Sequence, residues 1–140
     1  TISQGSAVRC VIDWEIWCVA DPRIDLSWMA LFTDQGRHPI ALRQVGRSTP
    51  APSELQAAYE SATGVRLPDM EWFHAYTRFR EAAMTALLVK HGRRRTVPPA
   101  RTEELAASCP VLLSDAVRVL AGGLAVLRSA SPGARPTERE

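Results

Sequence analysis

Between Asp69 and Gly92 the large apolar residues Trp72, Phe73, Tyr76, Phe79, Ala83, Met84, Leu87 and Leu88 recur three and four positions apart. That spacing predicts one long amphipathic helix, with Asp69 placed to cap its start and Gly92 to stop it. A second apolar stretch follows Pro110, where Leu113, Ala116, Val117, Leu120, Leu124 and Leu127 line one side. Val111, Leu112, Val119 and Val126 make its other sides apolar too, so this helix wants cover on several faces. Two such elements in 140 residues constrain the chain to a mainly α fold around one core.

The shorter elements follow from local signals. Ser53-Glu54-Leu55-Gln56 has the pattern of a capping box, and Leu55, Ala58, Tyr59 and Ala62 keep helical spacing up to Gly64. Turn formers dominate from Thr33 to Pro52, with a short helix expected at Ile40 to Gln44. Val97-Pro98-Pro99 is a break, after which Thr102 is placed to cap a short helix through Ser108 and Pro110 to open the last one. Gly122-Gly123 inside that helix implies a kink or a close helix contact. The reading is one unit over residues 1–130 and a disordered tail over 131–140.

Composition excludes some classes. With 46% hydrophobic and 23% charged residues the chain is ordinary for a globular protein, and no apolar run approaches the roughly 20 residues of a membrane span. No membrane partner is expected, and a cytoplasmic location is the default. Three cysteines, Cys10, Cys18 and Cys109, lack metal or redox spacing and read as buried thiols. The net charge of +2 does not call for nucleic acid. The basic run Lys90-His91-Gly92-Arg93-Arg94-Arg95 has no interleaved aromatic platform and is accounted for by the helix dipole. His38, His74 and His91 show no ligand spacing.

Residues 8–28 carry the chemistry. Val8, Cys10, Val11 and Ile12 read as a short buried strand that delivers Asp13 at its tip. Pro22 forces a turn at Asp21, and a helical run begins at Ile24-Asp25. The ordered string Val11-Ile12-Asp13-Trp14-Glu15, Ala20-Asp21-Pro22 and Asp25-Leu26-Ser27-Trp28 resembles the metal-binding segment of the aminoglycoside phosphotransferase and choline kinase family, which has the protein-kinase-like fold. Glu54 to Tyr59, Thr63-Gly64 and the Pro68-Asp69-Met70-Glu71-Trp72-Phe73 helix extend the resemblance to about Arg95.

The resemblance implies the helical C-lobe portion of such an enzyme, with an α+β parent and a short N-terminal strand or hairpin remnant. It assigns Asp13 to magnesium on the phosphates of ATP, and Asp21 and Asp25 to support of the site, Asp25 as a buried brace of the catalytic loop. Ala20 stands where the family commonly has glycine. Glu15, Trp28, Trp72, Tyr76 and Arg80 become candidates for the acceptor side. The implied reaction moves the γ-phosphoryl group of ATP to a hydroxyl of a small molecule, and the Glu71-Trp72-Phe73 helix resembles the bacterial branch related to the kinase-like domains found beside acyl-CoA dehydrogenases, a resemblance that implies a hydroxyacyl-CoA or similar acceptor. The family's His-Gly-Asp catalytic loop and nucleotide lobe are not in this sequence, so the reading is of a C-terminal portion that is inactive alone.

Each of these residues also has a plainer reading. Asp13 can be a solvated strand end, Asp25 the N-cap of its own helix, and the aromatics core packing. Arg80 can pair with Asp25 or Glu15, or meet an anionic part of a substrate. The alternative function is a non-catalytic helical module that binds a protein partner or forms a homodimer, and exposed apolar patches are expected of either.

Overall fold

The structure is a computed structural model and describes residues 2–4, 7–12, 19–33 and 50–130, excepting the side chains of 2–4 and 124–130. It is mainly helical. A hairpin of β1 (Ile2–Gln4) and β2 (Ala7–Cys10) precedes four helices: α1 (Pro22–Thr33), α2 (Pro52–Thr63), α3 (Met70–Arg93) and α4 (Thr102–Ala130). The segments expected to hold a helix at Ile40 to Gln44 and a disordered tail from Ser131 lie outside the described residues.

The dominant pairing is α3 against α4, an antiparallel hairpin. Two close approaches hold its ends in register. A Cβ on Gly92 would sit 2.9 Å from Thr102 Oγ1, and one on Gly123 would sit 2.8 Å from Glu71 Cβ. These contacts lie three heptads apart on each helix, from 71 to 92 and from 102 to 123. Between them the seam is built on Ala75, Ala82 and Val89 of α3, all buried and one heptad apart, with Thr85 beside them, facing Ser108 and Leu112 of α4. Gly92, expected as the stop of α3, is instead a buried residue within it.

That seam overturns the expected core face of α3. Trp72, Phe79, Met84, Leu87 and Leu88 are 52%, 57%, 46%, 55% and 60% exposed, while Thr77, Arg78, Glu81 and Thr85 are buried. Small side chains let two backbones approach; an aromatic in the seam would hold them apart. The sequence pattern ranked residues by apolar size, and the packing ranks them by fit.

α4 also departs from expectation. It runs unbroken through Pro110 and does not start there. Proline inside a helix costs about 3 kcal/mol, and the continuous seam on both sides of it offsets that loss. Thr102 is the first helical residue and its hydroxyl donates to Pro99 O at 2.7 Å, so it closes the turn and does not cap with its side chain. Over Thr102–Gly123 this helix is long and apolar enough, by length and composition, to cross a membrane, contrary to the sequence reading. Its middle nevertheless holds Asp115 and Arg118, paired at 2.8 Å, with the Asp115 side chain only 12% exposed. Each such charge is costly in a bilayer.

α1 packs on α3 in the same direction: Arg23 reaches Phe73, Ser27 meets Thr77 and Trp28 lies by Arg80. Ser27 Oγ donates to Ile24 O at 3.0 Å and lies 2.6 Å from Thr77 Oγ1, which leaves Thr77 as donor between two buried hydroxyls. α2 starts at Pro52 with Ala51 as N-cap, two residues earlier than the Ser53 pattern implied, because Pro52 suits the first helical position. Glu54 accepts from Ala51 N at 2.6 Å, and Gly64 ends the helix in the left-handed region at φ 71° as expected. Leu55 and Tyr59 of α2 pack on Leu26, Leu67 and Met70. Asp69 occupies the N-cap position of α3 but makes no side-chain capping bond.

The hairpin is not the buried strand expected. β2 is exposed along its length, Val11 and Ile12 lie beyond it at 47% and 53% exposure, and Cys10 is an exposed thiol. A two-stranded ribbon with none of the described helices packed on it has no interior to offer.

The two glycines of α4 separate propensity from packing. Nothing lies within 4 Å of a Cβ on Gly122, whereas one on Gly123 meets Glu71. Gly122→Ala is expected to raise stability by up to about 1 kcal/mol, and Gly123→Ala to lower it by roughly 1–3 kcal/mol. Urea unfolding followed by circular dichroism measures both.

Candidate functional site

The site begins at the start of α1. Pro22 is its first residue, and Asp21 just before it does the capping that was one reading of Asp25. Asp21 Oδ1 accepts from Arg23 N at 3.0 Å, satisfying one of the free donors of the first turn. The same carboxylate takes Arg23 Nε at 3.0 Å and Arg23 Nη2 at 2.7 Å, a two-pronged ion pair. Those bonds, above all from the Arg23 side chain, pull the Asp21 carboxyl down to about 2 from its ordinary 3.8.

Arg23 then reaches away from its own helix. Its Nη1 donates to Pro68 O at 2.9 Å, and its guanidinium lies 4.2 Å over the Phe73 ring. One side chain thus ties the start of α1 to the turn that enters α3. The sequence reading missed it, because the partners Pro68 and Phe73 lie far along the chain.

Asp25 is exposed in the first turn of α1, so as a side chain of this chain it is not buried. Negative charge there is favoured by the helix N-terminus. Trp28, half-buried, packs on Phe32 with ring centroids 5.0 Å apart. Arg80 makes no ion pair with Asp25, and Glu15, the other carboxylate expected for it, lies outside the described residues; its guanidinium lies 5.3 Å over the Trp28 ring. Trp72 and Tyr76 stack at 5.3 Å and 8°, with Phe73 edge-on to Trp72 at 4.9 Å. Trp72, Tyr76 and Arg80 are spaced four apart and share one face of α3.

The structure therefore brings Trp28, Arg80, Tyr76 and Trp72 onto one connected surface that runs from α1 across α3. Beyond Tyr76 it opens into an apolar groove of about 250 Å³, where Trp72, Tyr76 and Phe79 face Val117 and Leu120 across Ala116. Such a surface can hold flat apolar groups against the rings and an anionic group at Arg80. Asp13 and Glu15, together with Trp14 and Trp17, lie outside the described residues. The chain on either side of that segment is exposed, with Ile12 at 53% and Val19 at 91%. Among the described residues no cluster of His, Cys, Asp and Glu side chains is arranged to hold a metal ion.

No family model, no curated protein and no solved structure matches this chain.

Lowering the folded pKa of Asp21 contributes stability that is present above its unfolded value near 3.8 and lost as pH falls toward about 2. Asparagine keeps the cap and removes the charge. Thermal melts of Asp21→Asn are therefore expected to lie below the parent at pH 6 and to converge with it as pH falls through that window. A constant gap at all pH values excludes the ion pair as the source.

Proposed function

We propose that this chain is the C-terminal portion of a phosphotransferase of the protein-kinase-like class. More narrowly, it is the C-lobe part of an ATP-dependent enzyme similar to the aminoglycoside phosphotransferase and choline kinase family, acting in the cytoplasm on a hydroxyl of a small molecule. The observation that carries this reading is the surface that half-buried Trp28 forms with exposed Arg80, Tyr76 and Trp72, which follows directly on the Asp13-Trp14-Glu15, Asp21-Pro22 and Asp25-Leu26 order of the sequence. Those rings and that guanidinium suit the acceptor side of a phosphoryl-transfer site.

In this reading Asp13 holds magnesium on the ATP phosphates, whose charge the metal neutralises during transfer. Asp21 fixes the turn through Arg23, and Asp25 faces the catalytic loop that the rest of the enzyme supplies. An exposed Asp25 and an exposed aromatic face are what a C-lobe portion presents where that remainder belongs. Magnesium keeps several waters and needs more than one carboxylate with substrate phosphates, so this chain by itself binds it weakly.

The exposed groove also favours a second reading, a helical module for a protein partner. Apolar patches above a few hundred Å² mark interaction sites. A stoichiometric complex or discrete dimer in size-exclusion chromatography supports that module.

Two measurements test the first reading. Calorimetric titration of the 140-residue chain with magnesium and ATP is expected to show no tight binding, and submicromolar affinity refutes it. Joined to a nucleotide lobe and His-Gly-Asp loop in one reading frame, the chain is expected to support transfer to small-molecule hydroxyls. There Asp13→Ala should lower kcat by roughly a hundredfold or more, and Arg80→Ala should raise KM for an anionic acceptor with kcat retained.

A further inference from the structure

The opposite end of the α3–α4 hairpin has a different chemistry. Lys90, Arg93, Arg94, Arg95 and Arg101 gather there against two carboxylates, Glu103 and Glu104. Arg93 holds Glu103 with a pair of bonds at 2.9 and 2.7 Å, and Arg101 holds Glu104 at 3.1 Å. Among the described residues no carboxylate pairs with Lys90, Arg94 or Arg95, all exposed. Five cations against two anions leave +3 at this end of a chain whose whole net charge is +2. The helix dipole accounts for about half a unit of charge at a C-terminus, much less than is gathered here.

Aliphatic side chains lie beside these cations. Positions 84, 87, 88, 91 and 94 fall on one face of α3, and there Met84, Leu87 and Leu88 are 46%, 55% and 60% exposed. α1 is too short to cover them. Val97, just past the helix, is 80% exposed. The adjacent groove of about 520 Å³ sets Lys90, Arg93 and Arg94 beside Val89 and Ala106. The exposed aromatics of α3 all lie in its first half, so this end offers no platform for stacking bases.

We propose that the α3–α4 turn end docks on an anionic phospholipid surface. Leu87, Leu88 and Val97 enter the boundary between headgroups and acyl chains, while Lys90, Arg94 and Arg95 reach the phosphates. Apolar side chains with cations at their margin are what an interfacial helix presents to such a surface. The contact is peripheral, because α3 carries charges along its length. It departs from the expectation of no membrane partner, which considered only spanning segments. It is independent of the phosphotransferase reading, since neither Asp13 nor the aromatic surface takes part.

Cosedimentation of the 140-residue chain tests it, with vesicles of phosphatidylcholine alone and of phosphatidylcholine and phosphatidylserine at roughly 3:1. Binding is expected to be at least about tenfold stronger on the anionic vesicles and to fall steeply between about 0.05 and 0.5 M salt. Arg94→Glu with Arg95→Glu should lose at least about tenfold, and Leu87→Ser with Leu88→Ser several-fold. All four side chains are exposed, and circular dichroism confirms the fold of each variant; Arg94→Gln with Arg95→Gln replaces any that unfolds. No binding, equal binding to both vesicles, or charge dependence with indifference to the leucine variants overturns the proposal. The last outcome, with equally tight binding to heparin, assigns the end to a polyanion.

Discussion

The contact on which the rest of the molecule depends is the approach of two helix backbones at Gly92 against Thr102 and Gly123 against Glu71. Glycine at these two places is a matter of space: a methyl group would meet atoms at 2.9 and 2.8 Å. With the ends pinned, the seam admits only side chains that fit a narrow gap, and Ala75, Ala82, Thr85 and Ser108 do so. The exposed Trp72, Tyr76, Phe79, Met84, Leu87 and Leu88 of α3 are turned away from it. The exposed aromatics of the first half and the exposed leucines of the second are thus consequences of one packing choice.

This is also why the sequence revealed the helices and misplaced their faces. The three-and-four spacing of Trp72, Tyr76, Phe79 and Leu87 is a sound sign of helix, and α3 spans nearly the residues it indicated. Periodicity reports which residues share a face and is silent on which face meets the neighbour. A heptad of Ala75, Ala82 and Val89 is a weak apolar signal beside a row of aromatics, yet it makes the seam. Pro110 misled for a related reason: its local cost is certain, while the compensating contacts with α3 arise from residues far along the chain. At the site, the Asp-Pro turn and the start of α1 were legible. The division of labour between Asp21 and Asp25 was not, because it depends on Arg23 meeting Pro68 and Phe73 across some 45 residues.

Arg23 in turn explains how a short helix with modest burial can hold a surface in place. α1 is twelve residues long, and its buried side chains are Leu26, Ser27, Ala30 and Leu31. An isolated helix of that length is marginal in water. The clasp to the α2–α3 turn at one end and the Ser27–Thr77 hydroxyl pair farther along fix both its height and its rotation on α3. Trp28 is thereby set within reach of Arg80, and the aromatic surface becomes continuous across two helices.

The interior between these helices is polar for its size, with Thr77, Arg78, Glu81, Thr85 and Asp115 buried while Phe79, Leu88 and Val117 face outward. Burying polar groups is tolerable only when each finds a partner, and leaving large apolar groups in water forgoes most of their contribution to stability. Such an arrangement gains little from further compaction of the chain and much from contact with something apolar outside it. The two exposed surfaces differ in what can supply that contact. Rings with a single guanidinium on the α1 side suit a defined cleft closed by more protein. Aliphatic side chains bordered by cations at the far end have no such geometry, and a layer of anionic headgroups over hydrocarbon meets both of their demands at once.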